Sequence, residues 1–196
     1  MTEWQGFEQV IDTAATMLGF PRPWCVTGGW ALDLWQGSPS RQHGGVTLAI
    51  LREHQVELRD HLPGWQWFVV GRDGRHQPWT DRQQFMMPVV ELCAREPGRT
   101  GRNLRVMLNE SDGVDWRFSW NLRITRPLGR WRVFSNYAIP LHAPEIVLLH
   151  KSRRLAERDQ LDFRTFASKL DDEARSWLSS AIALETPDHP WLGGLS

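Results

Sequence analysis

The sequence predicts an α/β chain of the α+β kind: a mixed sheet flanked by helices, followed by a C-terminal helical region. Three observations carry this expectation. Helical and strand periodicities alternate over residues 7–62, short strands crowd residues 65–141, and helical spacing returns after Pro144. Residues 1–142 are expected to form the α/β domain, with residues 143–196 packed on it as part of one structural unit.

Phe7, Val10, Ile11, Ala14, Met17 and Leu18 recur at helical spacing, and Gly19 with Pro21 stops that helix. Trp24-Cys-Val26 is a short apolar strand. After Thr27-Gly28-Gly29, a second helix carries Ala31, Leu32, Leu34 and Trp35 and ends at Gly37 and Pro39. The run from Val46 to Leu51 is apolar on both faces, as a strand covered on both sides must be. Residues 53–62 are helical in pattern and break at Pro63-Gly64. Strands are then expected at Trp65–Val70, Phe85–Cys93, Leu104–Leu108, Trp116–Phe118 and Val133–Ile139, with turns at Gly71–Gly74 and Glu110–Gly113. Pro144 opens a helix at its favoured first-turn position, and the helical pattern runs to about Leu184. The tail from Thr186 is rich in Pro and Gly.

With 196 residues, 41% of them hydrophobic, the chain is long enough to bury one sizeable core. Lys plus Arg number 23 and Asp plus Glu number 23, so no net field draws it to nucleic acid or to a membrane surface. The N-terminus lacks a basic stretch followed by an apolar one, and no apolar run approaches the roughly 18 residues of a membrane span. Cys25 and Cys93 lie far apart among hydrophobic residues, the pattern of buried free thiols in a reducing cytoplasm. Several of the twelve Trp fall beside Gly or Pro in loops, where flat amphipathic rings commonly line the pockets of small-molecule ligands. The basic residues are nearly all Arg, with Lys only at 151 and 169, and Arg suits bidentate contact with carboxylate or phosphate.

The chemistry starts at Thr27-Gly-Gly-Trp30. A Gly pair between strand and helix turns backbone amides outward at a helix N-terminus, which suits phosphate oxygens. Arg41 and His43 stand in a polar loop just before the next strand. Residues 45 and 47, two apart, are expected to leave the same face of that strand.

Gly28-Gly-Trp-Ala-Leu-Asp-Leu34, then Arg41-Gln-His43, then Leu48-Ala-Ile-Leu-Arg52 resemble the small nucleotidyltransferases related to aminoglycoside and lincosamide adenylyltransferases. The resemblance continues through Leu108–Gly113, Arg123–Leu128, Ala143–Lys151 and Arg158–Phe163, and so spans nearly the whole chain. It implies transfer of a nucleotide from a triphosphate to a small-molecule hydroxyl, with magnesium held by two strand acids one residue apart and a third on a neighbouring strand. Magnesium demands hard oxygen ligands, and it must neutralise the triphosphate. The corresponding positions here are Gly45 and Thr47. The neighbouring strand offers Arg105 and Met107 where the third acid is expected, while Glu91, Glu110 and Asp112 are nearby acids that could substitute. The resemblance thus implies the scaffold without its metal site.

His43 and Arg41 are therefore the candidate catalytic groups, His43 as a general base near neutral pH or as a cap on the strand. Gly28, Gly29, Trp30, Gly45, Thr47, Arg105 and Lys151 are the candidate ligand-binding residues, and no metal ligand is expected. Arg105 either supplies fixed positive charge to an anion or is a solvated strand residue. By resemblance Lys151 reaches a nucleotide phosphate; alternatively, with Arg154 and Arg158, it forms a basic face paired with Glu157 or Asp162. Asp33 is expected to hold Arg41 and order the loop. Three readings remain open: another small-molecule reaction in the old pocket, a noncatalytic module binding a nucleotide, small molecule or partner, and an adenylyltransferase with relocated carboxylates. No cofactor is required, a nucleotide is an admissible ligand, and magnesium is not expected.

Overall fold

The computed structural model describes residues 6–98 and 103–195. The first helix, α1 (Glu8–Thr16), buries Val10 and leads into β1 (Trp24–Thr27). Helix α2 (Gly29–Gln36) follows at once and stops where Gly37 takes the left-handed conformation at φ 84°, a position that costs glycine no Cβ clash. Strand β2 (Thr47–Leu51) has Leu48, Ala49 and Ile50 fully buried, so both of its faces are covered. Helix α3 (Gln55–His61) then precedes β3 (Gln66–Val70), β4 (His76–Pro78), β5 (Glu91–Arg95) and β6 (Asn103–Ser111). Strands β7 (Asp115–Phe118), β8 (Asn121–Pro127), β9 (Arg132–Phe134) and β10 (Pro140–His142) complete the strand-rich middle. Three helices close the described chain: α4 (Pro144–Ser152), α5 (Glu157–Phe166) and α6 (Asp172–Glu185).

The ten strands form one mixed sheet in the order β4-β3-β5-β6-β2-β1-β10-β9, with β7 and β8 continuing from β6. Only the β2–β6 and β1–β10 pairs are parallel. Helix α4 is the hub beneath the sheet: Ile146, Val147, Leu148 and Leu149 are all buried, and it packs on α2, α5, α6 and β10. Asp171 caps α6, accepting 2.7 Å from the Ala174 amide, a contact that satisfies one of the free N–H groups of the first turn. Cys25 and Cys93 are buried free thiols. No helix among the described residues is long and apolar enough to cross a membrane.

The mixed α+β architecture is the expected one, and several elements differ from the sequence pattern. The strand expected over 133–139 is a hairpin, β9 and β10, because Ser135 Oγ accepts from the amides of Tyr137 and Ile139 and folds the chain into a turn. The strand expected from Phe85 begins only at Glu91: the Phe85 amide and carbonyl are taken by Gln55, which holds that residue against α3, and β6 is first met by the Val90 carbonyl, which accepts from the Leu108 amide. Strands β4 and β8 are additional; β4 is polar and exposed throughout, while β8 alternates only briefly, through Leu122 and Ile124, and its other inward position is the buried Arg126. The residues read as a turn at Glu110-Ser111 are the end of β6, paired with β7. The continuous helical pattern after Pro144 is broken where Leu155 adopts φ 50° and again where Leu170 is extended ahead of the Asp171 cap. Gly45 lies in the loop before β2, not on the strand face beside Thr47.

Candidate functional site

The β2–β6 parallel pair sets the floor of the site, with Thr47 in register with Arg105 and Ala49 with Met107. Above it, Gly28 is the N-cap of α2 at φ 74° and ψ −153°, a region that only glycine occupies without strain. The cavity between this turn, the loop at residues 41–45, β6 and α4 encloses about 490 Å³. Gly28, Gly29, Trp30, Arg41, His43, Gly45, Thr47, Arg105 and Lys151 all line it. Residues from four separate segments meet here because Thr27, Thr47 and Arg105 align at one end of the central strands β1, β2 and β6, and the α2 N-terminus and the end of α4 lie over that end.

The contacts among these side chains are more specific than their spacing. His43 Nε2 lies 2.7 Å from Asp33 Oδ2, and its ring packs against that of Trp30, centroids 4.7 Å apart and planes tilted by 44°. Asp33 is fully buried and also accepts from the Ser40 amide and hydroxyl. Asp33 therefore orders the loop through His43 and Ser40, and the expected Asp33–Arg41 pair does not form. Arg41 instead donates Nε and Nη2 to Asp162, both at 2.9 Å. Lys151 Nζ reaches Asp162 at 2.7 Å and Asp159 at 2.9 Å. Burial pushes Asp162 up, but hydrogen bonds from Arg41 and Lys151 outweigh it and hold the carboxyl below its ordinary value. Lys151 is thus neutralised within the fold.

Gly29 makes this arrangement possible. A Cβ there would lie 2.3 Å from His43 Cε1 and 2.7 Å from Arg41 Nη2. The His43 ring is pinned by Asp33 on one side and Trp30 on another, so it has little freedom to yield. Gly29→Ala is expected to break the Asp33–His43 contact and lower stability by about 1–3 kcal/mol, the usual cost of overpacking. Thermal denaturation and the His43 imidazole NMR signals report the two effects separately.

Arg105 donates Nε and Nη2 to Glu91 at 2.7 and 2.9 Å, across the β5–β6 pair. Hydrogen bonding to Glu91 raises the Arg105 pKa further. About half of the Arg105 side chain is exposed, and a pair so solvated contributes only about 0–1 kcal/mol to stability. Arg154 and Arg158 also line the cavity, with no acid partner among the described residues. The expected single helical face for Lys151, Arg154 and Arg158 does not exist, since α4 ends at Ser152. The three reach one cavity because the chain turns there.

Two further groups went unnoticed in the sequence. Trp120 lines the cavity with the Arg153 guanidinium 4.2 Å above its ring, and only a Trp following a short strand marked it. His150 also borders the cavity, and burial, with Arg153 and Arg154 nearby, pushes its pKa down to about 3. It is a neutral imidazole whose Nε2 has no hydrogen-bond partner. Its neighbour His142 is likewise held well below the ordinary histidine value by burial and by His150. His150 was hidden inside the apolar helical pattern of α4, and His142 at the end of the short strand β10.

Comparison with solved structures decides the fold. The lincosamide adenylyltransferase LnuA, in its lincomycin-bound crystal structure, superposes with TM-score 0.55 at 17% identity, covering 81% of this chain and 94% of that one. ANT(2'')-Ia in complex with adenylyl-2''-tobramycin gives 0.59 at 13% identity, over 90% of this chain and 97% of that one. Its solution structure gives 0.60 at 15% identity, over 91% of each. This chain carries the nucleotidyltransferase fold. No family model matches the sequence. No curated protein matches it either.

The nucleotidyltransferase fold, by the resemblance in its motifs, implies magnesium at the β2–β6 floor. The residues present there do not suit it. Gly45 has no side chain, Thr47 offers one neutral hydroxyl, Arg105 is a cation, and Glu91 is engaged by Arg105. Among the described residues no three His, Cys, Asp or Glu side chains gather as a metal-binding group.

Proposed function

We propose that this nucleotidyltransferase-fold protein uses its cavity to bind an anionic small molecule and does not perform metal-dependent nucleotidyl transfer. The observation that carries this reading is the cavity lining itself, where Thr47 stands in register with Arg105 and the carboxylates among the described lining residues are tied in ion pairs, Glu91 with Arg105 and Asp159 with Lys151. Metal-dependent transfer needs several free carboxylates at that place. The cavity instead presents arginines, whose planar donor groups recognise phosphate or carboxylate oxygens directly. Arg41 and His43 hold the loop at residues 41–45 over the Gly28-Gly29 turn, so their part is positioning. A nucleotide is among the admissible ligands, and no cofactor is required.

The test uses the two acceptors named for the structural neighbours. Incubation with ATP, magnesium and either lincomycin or tobramycin is expected to yield no adenylylated product by mass spectrometry. A product that appears with magnesium and vanishes with chelator would overturn the reading in favour of an adenylyltransferase with relocated carboxylates.

A further inference from the structure

The geometry points to Arg105 as a built-in cation at the cavity floor, a direct binding residue for a phosphoryl group in the place where the fold's resemblance implies a metal ion. This rests on the metal-free reading above and names its binding residue and ligand class. Arg105 stands in register with Thr47, on the side of the β2–β6 floor that faces the cavity. Its Nε and Nη2 are committed to Glu91, which fixes the plane of the guanidinium and leaves Nη1 without a protein partner among the described residues. A guanidinium held along one edge presents its remaining N–H groups in a set direction, so little rotamer freedom is lost when an anion arrives. The ion pair adds little to stability, as half of the Arg105 side chain is exposed, so holding the fold together does not account for it.

The rest of the cavity selects a multiply charged anion. Arg154 and Arg158 add two guanidinium groups that carry no acid partner among the described residues. The other cations are neutralised internally, Arg41 and Lys151 by Asp162 and Asp159 together and Arg153 by Glu185. Three guanidinium groups converging on one cavity match a phosphoryl or pyrophosphoryl group better than a single carboxylate. Glu91 is the counterweight: it orients Arg105 and also shares its charge.

Inorganic pyrophosphate is the probe, titrated calorimetrically in EDTA into the whole chain and three variants. Arg105→Met is expected to weaken binding by on the order of 10- to 100-fold, the effect of losing a charge-assisted hydrogen bond. Arg105→Lys is expected to recover only part of it, because the fork is lost. Glu91→Gln is expected to tighten binding by roughly threefold or more, as the guanidinium is no longer neutralised. A merely structural pair predicts instead that Arg105→Met and Glu91→Gln weaken binding alike. Thermal melts of every variant verify that each is folded. Pyrophosphate binding that survives Arg105→Met unchanged overturns this inference and leaves the metal-free cavity standing. Binding that requires magnesium, or no binding in EDTA at all, overturns the metal-free reading and this inference with it.

Discussion

Replacing Asp162 with alanine is expected to cost about 3–5 kcal/mol, the penalty for removing one member of a buried ion-pair network. Asp162 is almost wholly buried and accepts from Arg41 on the loop and from Lys151 on α4. Its removal leaves Arg41 without its only carboxylate contact and Lys151 with Asp159 alone. At about 2–4 °C per kcal/mol for a chain of this size, the melting temperature should fall by on the order of 10 °C. Asp162→Asn should cost less, because the amide oxygen still accepts one hydrogen bond. A loss of under about 1 kcal/mol for the alanine variant would show that the network is solvated and does not anchor the loop.

The acid limb of stability checks the same network. The folded Asp162 carboxyl sits below its ordinary value, so its stabilisation is present above the unfolded value of about 3.9 and is lost as pH falls through the folded one. His150 acts in a higher window. Its folded pKa of about 3 lies below the unfolded value of about 6.5, so the unfolded chain takes up the proton first. Stability therefore declines as pH falls from about 6.5 towards 3. In His150→Gln this upper part of the decline should become shallower, with the share of the equally buried His142 and the Asp162 part both persisting.

Gly45→Asp with Thr47→Glu is expected to create magnesium affinity, and adding Arg105→Met should strengthen it tenfold or more. Residue 45 is exposed, and a Cβ there meets nothing within 4 Å, so an aspartate fits without displacement. A glutamate at 47 is different, because Arg105 stands directly beside it on the parallel strand, about 4.8 Å away by ordinary strand spacing. The guanidinium would pair with the new carboxylate and compete with the metal. Its removal also frees Glu91, which then becomes a third acid at the floor. Calorimetric titration with magnesium alone, then with ADP present, measures the gain. A triple variant that binds no magnesium would overturn the correspondence drawn between Gly45, Thr47 and the metal-binding positions of the fold.

Local features were legible in the residues. Helix α1, strand β1, the Gly28-Gly29 turn, α2 and β2 stand where periodicity and glycine placement put them, since each depends on neighbours within a few residues. The later helices were not separable. Apolar spacing runs unbroken through residues 144–184, while the breaks at Leu155 and Leu170 follow from backbone conformations that no glycine or proline announces there. Strand β4 was invisible for the opposite reason: it is polar, and pairing alone makes it a strand. In β8 the alternation of Leu122 and Ile124 is too short to stand out, because an arginine, Arg126, takes the next inward position.

The candidate site divides along the same line. Gly28, Gly29, Arg41, His43, Gly45, Thr47, Arg105 and Lys151 were identifiable as residue types at motif positions, and one cavity collects them all. Who pairs with whom was settled only in three dimensions. Arg41 and Asp162 are 121 residues apart, and Asp33 takes His43 when Arg41 was the partner expected. Carboxylates choose cations by distance and burial, and Lys151 and Arg154 carry the same formal charge in the sequence although only Lys151 has an acid partner among the described residues. Composition and motif thus determined the scaffold and the residue types that stand at its floor. Tertiary packing decided which cations find an acid partner, because charge pairing depends on a proximity that spacing along the chain does not encode.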